Sequence, residues 1–292
     1  DFVAAYLKDA GLELEFLEEL PTRRSIYATL EGSGSKDALM LSGHIDTVPA
    51  GAGPWDHGAL DAKIVDGRIW GRGTADMKSG VAVIMAVAKA LAQSSAPREA
   101  DLILAITAGE ESANLGAEDM ARNLDFPKVQ GLYITEPTSN EIFVAEKGAL
   151  WVDVTTYGKT AHGSMPELGE NAIMMMVDFI NAFTAEDFPN LKDELVGSFS
   201  RSINMIQGGV GPNVVADQCT LSIDMRTVPG QNHKEVLAQI EAIFARLKAK
   251  NPAFNAKLEM TLDNLPFRTA NEEPLVLAIN EGIKAVRGKG SG

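Results

Sequence analysis

Residues 41–80 read LSGHIDTVPAGAGPWDHGALDAKIVDGRIWGRGTADMKSG, and the fold turns on how this stretch is entered and left. The apolar run Ala38 to Leu41 delivers His44 and Asp46 into a loop rich in Pro and Gly, and the stretch ends with Asp76 just ahead of VAVIMAVAKALAQ. A His two residues from an Asp, at the carboxyl end of a strand, suits an imidazole that binds metal through one nitrogen while a nearby carboxylate helps fix its orientation. A capped loop with a polar turn is the plainer alternative. The run after Asp76 is apolar nearly all round, which predicts a helix buried against a sheet. Within KIVDGRIWG, Asp66-Gly67 lies between two short β-prone runs and predicts a hairpin.

Further along, LELEFLEEL and SIYATLE alternate as strands do, and DLILAIT is a short unbroken apolar run of the kind expected in a central parallel strand. That run is followed by Glu110 and Glu111, and a third run, GLYIT, leads into Glu136-Pro137. Three predicted strands therefore finish in a metal-capable side chain, and Asp76 adds a fourth from a loop. Sites in open α/β sheets form at the carboxyl ends of strands, so His44, Asp76, Glu111 and Glu136 are expected to reach one crevice. Neighbours just past a strand point in different directions, which lets one of Glu110 and Glu111 bind metal while the other carries protons. An ordinary solvated helix start is the alternative for that pair.

From Gly148 the pattern changes to strand, helix, strand, strand, helix, strand, the ferredoxin-like split motif. The expected fold class is α/β: a catalytic domain with a mostly parallel sheet flanked by helices, residues 1–147 and 264–292, and an inserted ferredoxin-like domain over 148–263. The helix EEPLVLAINEGIKAV is expected to rejoin the first domain. Met174 to Met176 reads as helix packing, since thioethers are poor ligands for hard or borderline cations.

Composition narrows the function. With 292 residues and 45% hydrophobic content the chain can bury a sizeable core, and a formal charge of -14 excludes a phosphate-tracking nucleic-acid surface. No apolar run is long enough to span a bilayer, so no membrane partner is expected. The single cysteine, Cys219, falls in an alternating segment and reads as a small core residue. A reducing, cytoplasmic setting is the expectation. Both ends of the chain look cut.

The motifs GHIDTVP, GRGTADMKSG, TAGEES, TEPT and GKTAHGSMPELGENAI, with the region Asn213 to Pro229, occur in order along nearly the whole chain. Together they resemble the di-zinc family of aminoacylases, acetylornithine deacetylases, succinyl-diaminopimelate desuccinylases and carboxypeptidase G. The resemblance implies a zinc-dependent amidohydrolase or peptidase. Its substrates would be N-acyl amino acids, of acetylornithine or succinyl-diaminopimelate type, or short peptides. It implies a pair of Zn2+ ions per complete subunit, with Co2+ or Mn2+ as possible substitutes. His44 would bind one zinc with Asp46 as its partner, Asp76 would bridge the pair, and Glu111 and Glu136 would each complete one position.

The same resemblance makes Glu110 the general base and His162 the donor to the tetrahedral oxyanion, reaching across a homodimer formed by the inserted domain. Asn213 and Arg226 would hold the substrate's carboxylate or backbone, and the peptide after Asp76 would be cis. One element departs from the family. Its last zinc ligand is a histidine near the C-terminus, whereas no histidine follows His233 here. His233 itself reads as a capping or surface residue, and His57 has no matched role. The chain as given is therefore expected to bind one zinc tightly at most, through His44, Asp76 and Glu136, or none, and to have little hydrolase activity. A non-hydrolytic amino-acid or peptide binding protein using the same cleft is the alternative function.

Overall fold

The structure, a computed structural model, describes every residue except Ala113, Asn190 and Gly292, and every side chain except those and Glu19 and Leu20. The chain divides into two units, residues 1–141 with Ser291 and residues 142–290. Among the described residues no helix is long and apolar enough to cross a membrane.

The first unit runs α1 (Phe2–Asp9), β1 (Glu13–Leu20), β2 (Arg23–Leu30), β3 (Ala38–His44), β4 (Lys63–Val65), β5 (Arg68–Trp70), α2 (Ser79–Gln93), β6 (Leu102–Thr107), α3 (Leu115–Asn123) and β7 (Val129–Ile134). Its sheet has the order β1-β2-β6-β3-β7. Every residue of β6 is buried, as its unbroken apolar run requires of a middle strand. Strand β3 is parallel to both β6 and β7, with His44 opposite Thr107 and Ser42 opposite Ile134. The carboxyl ends of these three strands therefore emerge on one edge. Strand β2 is antiparallel to β1 and to β6, so the sheet is mixed where a mostly parallel one was expected.

Strands β4 and β5 form the expected hairpin. Asp66 and Gly67 both take positive φ, 49° and 73°, which is the backbone twist that a two-residue hairpin turn demands. Helix α2 buries Val81, Ile84, Met85 and Ala88 in a cluster with Leu104 and Ile106 of β6. Its opposite face is apolar as well, yet Val83, Val87 and Leu91 are exposed, so the helix is half-covered instead of fully buried.

The second unit contains β8 (Ala145–Glu146), β9 (Gly148–Tyr157), α4 (Ala172–Ala185), β10 (Lys192–Asp193), β11 (Gly197–Ser198), β12 (Ser200–Gly208), β13 (Gln218–Thr227), α5 (His233–Lys250), β14 (Ala256–Asn264), β15 (Phe267–Arg268) and α6 (Pro274–Arg287). The sheet order β12-β13-β9-β14, all antiparallel, with α4 and α5 as the two crossovers, is the ferredoxin-like arrangement. Alternation sets its core. Leu150, Val152 and Val154 of β9 and Leu221, Ile223 and Met225 of β13 all point to one face.

Phe179 and Phe183 of α4 and Ile240 of α5 seal that face. Met175 and Met176 lie in this core, as packing residues should, while Met174 points outward. Cys219 is buried there too, and burial pushes its thiol pKa up. Helix α6, expected from its sequence to rejoin the first domain, groups by contact with this unit, and none of its residues is buried.

His233 is not a surface residue. It is 3% exposed and bridges two strands, Nε2 lying 2.7 Å from the Thr227 hydroxyl and Nδ1 2.5 Å from Asp263. The α5 cap is Asn232, whose side chain accepts from the Lys234 amide. Because Thr227 is also fully buried, removing the ring leaves a cavity and an unpaired hydroxyl. We expect His233→Ala to lower unfolding free energy by about 2–4 kcal/mol in denaturant titration. A change within a few tenths would mean that this bridge contributes nothing.

Candidate metal centre

His44 is the last residue of β3, and its ring is 2% exposed. Its Nδ1 lies 3.1 Å from the Asp46 carbonyl oxygen. A carbonyl only accepts, so Nδ1 carries a proton, and Nε2 is the ring nitrogen left to face a metal. That nitrogen faces carboxylates: Asp76 Oδ1 at 3.3 Å, Glu136 Oε1 at 3.5 Å and Glu110 Oε2 at 3.8 Å. His44, Asp76 and Glu111 each also offer a ligand atom within 4.8 Å of the others. All four residues read from the sequence as ligands, and Glu110 with them, thus meet at the edge where β3, β6 and β7 end.

Asp46 does more than accompany His44. Its carboxylate lies 3.5 Å from Nδ1, a longer contact than the one its carbonyl makes. Its hydrogen bonds go elsewhere: Oδ1 accepts from the amides of Gly109 at 2.8 Å and Glu110 at 3.2 Å, and Oδ2 accepts from Glu111 at 3.2 Å. One side chain therefore ties the turn bearing Glu110 and Glu111 to the strand bearing His44. Local spacing carries no trace of this bond, because its partners lie 63 residues apart.

Asp76 sits in a wide turn over Thr74–Lys78 whose backbone leaves helical angles at Asp76 and Met77, and the peptide between those two is cis, as expected. Glu136 follows Thr135, whose amide extends the β7 ladder by donating to Ser42 O at 3.2 Å. Helix α2 can start against this segment only because residue 80 is glycine: a Cβ there would collide with the Thr135 backbone oxygen and side chain.

The electrostatics suit a cation. Burial raises the Glu136 carboxyl from its ordinary 4.5 to about 7, with Asp76, Glu110 and Glu111 pushing the same way against the opposing pull of His44. Burial likewise raises Glu110, again opposed by His44 and helped by Glu111, Asp46 and Asp76. Among the described residues no Lys or Arg pairs with Asp76, Glu110, Glu111 or Glu136. One imidazole lone pair and several uncompensated carboxylates form a donor set that fits zinc and related divalent ions.

The remaining predicted site residues lie in the second unit. His162 Nδ1 accepts from the Ser164 amide at 3.2 Å and lies 2.8 Å from the Ser164 hydroxyl, so the neutral ring carries its proton on Nε2, on an exposed side chain. The His162 segment is bridged to Val214, and the Gly163 amide donates to Asn213 O at 2.8 Å, which brings Asn213 and His162 together. Arg226 stands on β13 with its Nε against Asp224. His57, unassigned from the sequence, packs edge-on against Trp70 with ring centroids 4.8 Å apart.

Comparison with known proteins agrees with this anatomy. Residues 144–252 match the peptidase dimerisation domain, and residues 25–141 match peptidase family M28. A probable succinyl-diaminopimelate desuccinylase of Staphylococcus epidermidis is 32% identical over 78% of the chain, which spans 63% of that relative's length. A protein of the same description from Staphylococcus aureus is 30% identical, with 96% of this chain and 74% of the relative aligned. Among solved structures, an M20 family metallo-carboxypeptidase from Sulfolobus solfataricus superposes with a TM-score of 0.75 at 19% identity, covering 99% of this chain and 78% of its own, a likeness of fold. Identity of 30% sustained over 74% of the aureus relative, on this fold, places the chain plainly: it belongs to the M20 peptidase family.

Proposed function

We propose that this protein is a zinc-dependent amidohydrolase that cleaves the amide bond of an N-acyl amino acid, of acetylornithine or succinyl-diaminopimelate type, or of a short peptide. The observation that carries this reading is Nε2 of buried His44 facing Asp76, Glu110 and Glu136 with no Lys or Arg, among the described residues, to offset them. In this reading His44, Asp76, Glu111 and Glu136 hold the metal. Zinc bound there supplies a Lewis acid for the acyl oxygen and lowers the pKa of the attacking water.

Glu110 serves as the proton carrier. Its raised pKa suits a carboxylate that takes a proton from water and returns it to the leaving nitrogen. A C–O bond forms, the C–N bond breaks, and the products are a carboxylate and an amine. A pure binding protein would have no need of such a group. Asp46 keeps Glu110 in register with His44 through the amides it binds. Asn213 and Arg226 are assigned to the substrate's carboxylate or backbone, a guanidinium being suited to grip a carboxylate by parallel hydrogen bonds.

His162 is assigned to the oxyanion of a partner chain's site. Its outward Nε2–H supports this role, and a homodimer through the second unit supplies the partner. Among the described residues strand β12 leaves one edge of its sheet unpaired, with Met205 and Ile206 exposed, and Ile173 and Met174 of α4 are exposed too. Such an edge is a ready pairing surface.

Three outcomes test this reading. The complete, zinc-loaded protein should hydrolyse at least one of N-acetyl-L-ornithine, N-succinyl-L,L-diaminopimelate and a set of dipeptides, and lose that activity to chelator. Glu110→Gln should keep its metal while turnover falls by about 100-fold or more, whereas Glu111→Gln should lose metal affinity as well. Equal metal loss in both variants would sink the assignment of roles.

Proton release on metal binding gives a second check. Glu136 titrates near 7 in the metal-free protein, above its ordinary 4.5. The folded state therefore holds the extra proton between those values and loses stability as pH rises through them. A metal needs the carboxylate ionised, so zinc uptake at about pH 6 should expel close to one proton from Glu136. Calorimetry in buffers of different ionisation enthalpy would read it, and the release per zinc bound should fall by close to one proton in Glu136→Gln.

The dimer is tested by mixing His162→Ala with Glu110→Gln. Subunit exchange should recover about half of the activity per heterodimer, since one of its two sites is intact, and about a quarter in a fully exchanged equal mixture. No recovery would mean that His162 acts within its own chain or that the protein is a monomer.

A further inference from the structure

Strands β9 and β13 pair so that Trp151 lies directly opposite Asp224, and Ala149 opposite Arg226. Asp224 and Arg226 are two apart on one strand and so share a face of the sheet. It is the face away from Leu221, Ile223 and Met225, which lie in the core with α4 and α5. On it, two donors converge on one carboxylate. Trp151 Nε1 donates to Asp224 Oδ1 at 2.8 Å, and Arg226 Nε lies 3.0 Å from Oδ1 and 3.2 Å from Oδ2.

We infer that Asp224, itself held by Trp151, is a positioning residue that sets the Arg226 guanidinium for end-on capture of the substrate's carboxylate. This rests on the proposed role of Arg226. Asp224 occupies the Nε side of the guanidinium only, and among the described residues no group hydrogen-bonds to Nη1 or Nη2. Those two nitrogens form the edge that matches a carboxylate by two parallel hydrogen bonds.

A surface ion pair two residues apart would ordinarily count for little, because solvent screens it and two long side chains lose freedom to make it. Here the carboxylate is already restrained by the indole, on a strand paired on both sides, with its side chain 26% exposed against 44% for Arg226. A guanidinium fixed in advance loses less rotamer freedom when the substrate arrives. The cost of placing a negative charge nearby is small at this exposure. Water screens Asp224 from a ligand on the far edge, while the restraint on the rotamers acts in full.

The test is a ratio: kcat/KM for N-acetyl-L-ornithine over that for N-acetyl-L-ornithinamide, which lacks the carboxylate, and the same ratio for N-succinyl-L,L-diaminopimelate and its α-carboxamide. Arg226→Ala should collapse the preference for the acid by roughly 100-fold. Asp224→Asn, which keeps the shape but not the charge, should lower it by about 3- to 10-fold through KM, and Trp151→Phe by less. If Arg226→Ala loses the preference and Asp224→Asn retains it, the positioning role is overturned while the role of Arg226 stands. If Asp224→Asn slows acid and amide alike with the ratio kept, its role is structural and the inference fails. If Arg226→Ala leaves the ratio unchanged, or the unaltered protein shows no preference, the assignment of Arg226 falls and takes Asp224 with it.

Discussion

The Asp46 carboxylate is the constraint on which the first unit's site depends. It accepts from three consecutive amides, those of Gly109, Glu110 and Glu111, while the carbonyl of the same residue receives the proton of His44 Nδ1. Hydrogen bonds to an ionised acceptor are short and strong, and a tight turn after a strand has amides that need such an acceptor. Two things follow at once. The imidazole is oriented with Nε2 toward the carboxylates, and the pair of glutamates cannot drift relative to it. The parallel register of β3 with β6 makes this short link possible, because it brings both strand ends out on the same edge.

Much of this was legible in the sequence, for reasons that can be named. Each of β3, β6 and β7 is an apolar run ending shortly before His44, Glu110 and Glu136, and strands in a parallel set end side by side. Knowing the direction of the runs was therefore enough to gather their terminal side chains. The Asp66-Gly67 turn was legible because its backbone angles tolerate few other residues. Other features were hidden because they depend on what lies across the fold. The 63-residue span of the Asp46 bonds leaves no local pattern. His233 begins a helix, where histidines are commonly solvated, and only the fold brings Thr227 and Asp263 to its two nitrogens.

Helix α2 and strand β7 show the limit of hydrophobic pattern as a guide to burial. Pattern reports that a side chain is apolar, and says nothing of what covers it. Val83, Val87 and Leu91 on α2, and Leu132, Tyr133 and Ile134 on the edge strand β7, are exposed although their runs read as interior. In the second unit the same signal works well. Cys219, Leu221, Ile223 and Met225 alternate with Thr220, Ser222, Asp224 and Arg226, so one strand supplies both a core and a polar face. The core face explains why the split motif was readable, and the polar face is where side chains remain available for recognition.

The carboxylates of the first unit are an energetic burden that only a function explains. Asp76 and Glu111 bring oxygens within 4.8 Å of each other beside a single imidazole. A pair of like charges at that separation repels by roughly 1 kcal/mol in water and up to about 4 kcal/mol at the effective dielectric of a protein surface. Whole domains are stable by only about 5–15 kcal/mol, so several such pairs cannot persist ionised without relief. Relief comes in one of two forms, a proton or a cation. Glu136, pushed up to about 7, shows the first form in the chain alone. The fully buried β6 and the Asp46 link hold the groups together whichever form is present, so the repulsion is kept as a standing preference for positive charge at Nε2 of His44.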